Sequence, residues 1–518
     1  MLRNVFFHCS CVVLACLGLA GAWSQEAAES TATETVLGKI DPVSWIKETV
    51  VVSPDATKLA YVARADGKQR VVVDGQEGKL YDEIVAGRIR ACCIVFSPDG
   101  KRVAYVARSG GKSLVVVDGT EGKPYDEIDM DYILFSPDSK RTAYRARAGT
   151  EWVVVVDSQE SKRYAGLGSR EVSYKRGRIT YGVICGPPLA FSPDGTRLAY
   201  LAALGGKWFV VVDGREGKHY DNVVMPERVF SPDGKRTAYW GRVGDKWHGV
   251  VDGKEGKPHD GPGIAAMAEN YQLAILATGS LVFSPDSRRF AYVAQEGDEE
   301  LEFALVVDGQ EWSRYDYVDT LGPVFSPDST TIAYIVRSQG NEFKESVVVD
   351  KQRGTPYEGV LAPVFSPDSG RIAYPAYDGT KWFVVLDGQE GKRYDYVGTP
   401  YSSGRSAAGL VGFRRLIFSP DSKRLAYGAQ VGDKWLVVVD GEEGKQYDEI
   451  GMCGLVFSPD SRAVAYAARA GKEWFVVVGD RESKHYSEMP GPIVFESPEK
   501  LRYVVEDDTI CRVEETLQ

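Results

Sequence analysis

The chain has 518 residues, 43% of them hydrophobic, with 73 acidic against 62 basic side chains and a formal charge of −11. That length exceeds one ordinary hydrophobic core, so two domains or one unusually large repeat array are the starting expectations. The acidic balance opposes binding to a phosphate backbone and excludes nucleic acid as the expected partner.

The N-terminus, MLRNVFFHCSCVVLACLGLAGAWSQ, has one Arg, an apolar run from Val5 to Ala20 and the small-x-small step Ala20-Gly21-Ala22. This is the pattern of a cleaved secretion signal over residues 1–22, which predicts a secreted or periplasmic protein. The run falls short of the ~18 apolar residues of a membrane span, and no later segment supplies one. Cys16 follows Val13-Leu14-Ala15, but residues 17–20 stay apolar, a poor signal for a lipid anchor. An acidic linker, 23–34, leads to TVLGKI, 35–40, a candidate closing strand for the far end of the chain.

Without the signal, the cysteines are Cys92, Cys93, Cys185, Cys453 and Cys511, an odd set, so at least one is unpaired within the chain and the pairing stays open. There is no CxxC pair, and adjacent Cys92 and Cys93 do not suit a metal chelate, so neither a structural zinc nor a cofactor is expected.

From residue 41 onward the sequence repeats. Ser-Pro-Asp recurs with its Asp at 55, 99, 138, 194, 233, 286, 328, 368, 421 and 460, and a weakened copy, FESPEKLRYVV, begins at Phe495. Most intervals are 39 to 44 residues and three are 53 to 56, the period of a four-stranded propeller blade. Each copy reads as a short first strand ending in Phe, as at Phe96 or Phe230, then a Ser-Pro-Asp-Gly/Ser turn. A second strand follows with an Ala-Tyr pair, from Ala60-Tyr61 to Ala465-Tyr466 in all ten full copies. Next come a Val-rich third strand, a DGxEGK hairpin and a short edge strand with Tyr-Asp. A catalytic acid is needed once, whereas ten copies of Asp in one turn are architecture.

These residues resemble the WD40-like propeller repeats of TolB type, whose blades show FSPDG, then AY, then a Val-rich strand ending in Asp-Gly. The resemblance covers nearly the whole mature chain and implies an all-β propeller of ten full repeats plus one degenerate copy. It says little of function, since that family includes binding modules, envelope-transport accessories and propellers attached to hydrolases. Two rings of about five and six blades are favoured over one large ring, over residues 41–260 and 281–518, with GPGIAAMAENYQLAILATGS, 261–280, as the crossover.

Length varies between the edge strand and the next repeat, at 85–93, 165–188, 261–280 and 396–415, which is how repeat folds build binding surfaces. SREVSYKRGRITYG supplies the candidate binding residues Arg170, Lys175, Arg176, Arg178 and Tyr181, fitted to an acidic partner or a glycan. TPYSSGRSAAGLVGFRR supplies Tyr401, Arg405, Phe413, Arg414 and Arg415 as a flexible contact loop. Trp152, Trp208, Trp247, Trp382, Trp435 and Trp474 recur at the start of the third strand and read as packing or edge protection rather than a sugar platform.

No GxSxG elbow, HExxH helix or phosphate-cradling loop is present, and of the four histidines beyond the signal, His219, His259 and His485 fall on different repeats at or beside the edge-strand Tyr position. No catalytic, cofactor or metal residue is therefore assigned. The expectation is an extracytoplasmic, noncatalytic propeller that binds a protein or another macromolecule through its loop-rich face. The alternatives are a propeller hydrolase or lyase with a site in a central channel, and a TolB-like periplasmic accessory of envelope transport.

Overall fold

In a computed structural model, the described residues are 31–39, 44–87, 94–168, 171–176, 179–184, 189–226, 228–263, 274–275, 281–297, 302–318, 322–337, 344–398, 416–451, 455–489, 491–507 and 509–517. The signal segment 1–22, Cys16 and the linker as far as residue 30 lie outside them, as do Cys92, Cys93, Cys185 and Cys453. Cys511 is a buried free thiol.

Among the described residues the chain is all-β apart from one 3-10 turn, Met130–Tyr132. The blade around Ala104-Tyr105 sets the pattern. Its second strand, Val103–Ser109, pairs on one side with Glu83–Ile84 and Ile94–Phe96, and on the other with Lys112–Val117, which carries the two-residue outer strand Thr120–Glu121. Eleven sheets follow this plan. The alternation of the second strand, small Ala against large Tyr, leaves both faces of each sheet to be covered by a neighbour, the packing logic of a propeller.

The chain divides into two compact units, one of residues 1–139, 394–404 and 413–518, the other of 140–393 and 405–412. In the first unit the strand Thr31–Lys39 pairs antiparallel with Thr509–Thr516, so an N-terminal segment supplies the outer strand of the C-terminal sheet. That sheet then packs on the first repeat through Val52, Ala56 and Leu59 against Val504 and Ile510. The second unit contains the sheets on both sides of 261–280. They share one core of Trp240, Trp247, Tyr292 and Val306, so blade-to-blade packing does not break at the segment expected to cross between rings.

The turn chemistry explains the repetition. In each full copy the Ser hydroxyl donates to the Asp carboxylate, as Ser97 does to Asp99 at 2.6 Å, and accepts the amide five residues on, here Arg102 at 2.9 Å. Where the fourth turn residue is Ser, it lies in the left-handed region, φ 64° at Ser139 and 65° at Ser287. The sequence reading puts Gly and Ser there without distinction. The Ser hydroxyl in fact accepts the Asp amide of the preceding blade, Asp99 to Ser139 at 3.0 Å and Asp233 to Ser287 at 2.9 Å, which offsets the left-handed strain.

An Arg two or three residues further on fastens the same junction, a role the sequence reading missed. Arg236 Nε donates to Asp252 at 2.9 Å, its Nη1 donates to the carbonyls of Ser287 and Arg288, and its guanidinium lies 5.1 Å from the centre of the Phe283 ring. Arg102, Arg197, Arg289 and Arg424 repeat the pattern. The recurring Lys and Glu of DGxEGK likewise join successive blades, Lys218 to Glu255 at 2.7 Å and Lys445 to Glu482 at 2.6 Å. The DGxEGK hairpins thus form an ion-pair ladder between sheets.

Candidate functional site

The insertions leave the blades at a place the sequence did not indicate. After the outer Tyr, which bridges the third strand as Tyr81 does to Gln69, the chain enters the next sheet at once: Glu83–Ile84 pairs with the Ala104-Tyr105 strand, and Ile94–Phe96 pairs with it again further along. The first strand is therefore one ladder in two pieces. The variable segments start between those pieces, within a blade rather than between repeats.

Two of them meet. In the second unit, Glu171–Arg176 and Ile179–Ile184 form a hairpin with Tyr174 opposite Tyr181, Lys175 opposite Thr180 and Arg176 opposite Ile179. Ile179–Ile184 then pairs in parallel with Ala274–Ile275, Val183 with Ala274 and Ile184 with Ile275. The result is a three-stranded sheet separate from the eleven blades, built from the insertion of the Ala199-Tyr200 blade and that of the Ala291-Tyr292 blade. Lys175, Arg176 and Tyr181 are placed on this sheet, while Arg170 and Arg178 lie outside the described residues. Tyr401, Arg405, Phe413, Arg414 and Arg415 also lie outside them. The sequence carried a signal for the hairpin, since EVSY and ITYGVI are β-prone runs flanking Gly177. Nothing in the sequence signalled the parallel pairing with a segment about ninety residues away.

The remaining candidates are occupied within the blades. Trp247 and Trp435 are buried, and Arg145, Arg242 and Arg469 lie over Trp152, Trp247 and Trp474 at 5.4 to 5.7 Å, so these rings already carry a cation. His219 stacks on Phe209 at 4.1 Å and His485 on Phe475 at 4.3 Å. His259 stands where other repeats place the outer Tyr. Its Nδ1 lies 2.7 Å from Glu296 Oε1 and its Nε2 3.5 Å from the Tyr292 hydroxyl. His259 has only 3% of its surface exposed and, with Glu296, joins two neighbouring blades.

Charge states follow the same division. The Ser97 hydroxyl, joined by the Lys101 amide, holds Asp99 below the usual carboxylate range against the opposing effect of burial. Burial, with Glu296 adding to it, pushes the Tyr292 hydroxyl up to about 12, so it stays protonated at neutral pH. Among the described residues no group of three or more His, Cys, Asp or Glu side chains is placed to hold a metal ion. No helix among them is long and apolar enough to cross a membrane.

Sheets of this strand order, joined face to face by their turn residues, define a β-propeller. No protein-family model and no curated protein matches the chain. Among solved structures it is similar to a eukaryotic initiation factor, at 12% identity over 74% of this chain and 94% of that one, TM-score 0.36. It is also similar to the β-propeller domain of the Trilobed protease from Pyrococcus furiosus, at 14% identity over 42% and 76%, TM-score 0.25. TolB from Acinetobacter baumannii is similar at 14% identity over 59% and 77%, TM-score 0.22. The propeller assignment rests on the sheets themselves.

Proposed function

We propose that the chain is an extracytoplasmic, noncatalytic β-propeller that binds a protein or another macromolecule through the insertions of its blades. The observation that carries this reading is the three-stranded sheet formed by two insertions from different blades. Among the described residues it adds no strand to any blade, which sets it apart from the repeated framework. The repeated acids, by contrast, are engaged in turns and blade junctions, which leaves the insertions as the variable chemistry of the molecule. Export rests on the signal pattern of residues 1–22, and a TolB-like accessory role in an envelope is a finer version of the same reading.

The test replaces residues 169–185 by a short Gly-Ser linker and compares the proteins captured by the mature chain and by the variant from its native envelope or medium. The expected result is an unchanged thermal midpoint with loss of specific captures. An unchanged set of captures would overturn the assignment of the binding surface. Retention of a reporter fused behind residues 1–22 inside the cytoplasm would overturn the location.

A further inference from the structure

Among the described residues eight blade sheets end in an outer strand of only two residues, while Lys254–His259, Gln310–Tyr315 and Thr31–Lys39 are longer. Gln76–Glu77, Thr120–Glu121, Arg215–Glu216, Gln389–Glu390 and Glu442–Glu443 are two residues each and carry Glu. Short, charged edges are how sheets avoid pairing with other chains. The insertion sheet belongs with the longer edges. Its strand Glu171–Arg176 is six residues long, roughly 20 Å at the usual rise. Among the described residues it pairs with Ile179–Ile184 alone. In an antiparallel pair alternate residues direct their N–H and C=O groups away from the partner, so every second residue of this strand turns its backbone groups to a side that no described strand pairs.

We propose that Glu171–Arg176 accepts an extended acidic segment of a partner protein as an added strand. This rests on the reading of the insertions as the binding surface and names the partner's chemistry. Two observations select the occupant. The edge has the length that strand addition uses, in which main-chain hydrogen bonds supply affinity and alternate side chains supply selection. The strand carries Lys175 and Arg176 against the single acid Glu171, within a chain of net charge −11. A second copy would set this basic stretch against its own like charge, whereas an acidic strand complements it.

The test uses the whole mature chain and a labelled, end-capped hexapeptide of alternating Glu and Val, read by fluorescence anisotropy at low and moderate salt. Expected are saturable binding that weakens with salt, a loss on the order of tenfold when alternate peptide nitrogens are methylated, and a similar loss in the Lys175→Glu/Arg176→Glu variant. Absence of binding, or binding indifferent to N-methylation, would overturn strand addition, the second outcome marking a purely ionic contact. Should the double variant fail to fold, the methylated peptide decides alone. Dimerisation promoted by the double variant would identify a second copy as the occupant and also overturn the proposal. Loss of captures on replacing 169–185, with no peptide binding, would leave the wider function standing and remove only this mode.

Discussion

The junction between the Ala199-Tyr200 and Ala238-Tyr239 blades and the insertion sheet are regions of the same unit built on opposite terms. At the junction the charged groups of the repeat bond within and across blades: Arg197 with Asp213 of its own blade and the carbonyls of Gly234 and Lys235 of the next, Lys218 with Glu255, Asp221 with Lys207 and the amide of Gly244. Tyr220 meets Tyr239 edge-on at 6.3 Å. In the insertion sheet the strand Glu171–Arg176 pairs on one side alone among the described residues. A repeat residue is therefore read by what it fastens, and an insertion residue by what it leaves available.

The comparison can be broken or sharpened by substitution, beginning with the largest effect. Phe209 is fully buried, stacked by His219 and met edge-on by Tyr164. Phe209→Ala should lower unfolding stability by about 3–5 kcal/mol in denaturant titration, while the folded fraction keeps its captures. Arg236→Ala removes the contacts to Asp252, Ser287, Arg288 and Phe283 together and should cost about 1–3 kcal/mol, with Lys at that position recovering only part.

Ser287 separates conformation from bonding. Ser287→Ala keeps the left-handed strain and loses the bond from the Asp233 amide, for a cost of about 1 kcal/mol, whereas Ser287→Gly removes both and should stay closer to the parent. A parent-like Ala variant with a destabilised Gly variant would reverse this account.

Asp99→Ala should likewise cost about 1 kcal/mol at neutral pH without abolishing partner capture. The folded carboxyl sits below its unfolded value, so its contribution is complete above the ordinary carboxylate range near pH 4 and fades as pH falls through the folded value. The gap between parent and variant should accordingly close in acid denaturation curves. A selective loss of function in a fully folded Asp99→Ala protein would give that copy a role beyond the turn. Replacement of 169–185 should have the smallest effect on stability, within about 1 kcal/mol, because no blade strand is removed.

The sequence made the blades legible. Periodic Ser-Pro-Asp, Ala-Tyr and Asp-Gly positions marked the second strand, the third strand and both turns, since these follow from local alternation and turn preference. It also singled out Lys175, Arg176 and Tyr181 as a basic, aromatic cluster, although as a loop. The roles of Arg102 and Arg236 were not legible, because their acceptors are carbonyls about forty to fifty residues away and any exposed Arg reads alike in sequence. The replacement of an outer Tyr by His259 was visible, but its partnership with Glu296 was not.

What the sequence determined by itself is the repeating unit and its turn chemistry, because a turn is decided by the φ preferences and hydroxyl bonds of a few adjacent residues. Only the tertiary structure decided that the strand beside the C-terminal one runs from Thr31 to Lys39 rather than over 35–40, that first strands are split around the insertions, and that two insertions pair into one sheet. Those are contacts between distant segments, fixed by which backbone edges and apolar faces are left to satisfy once the blades have formed.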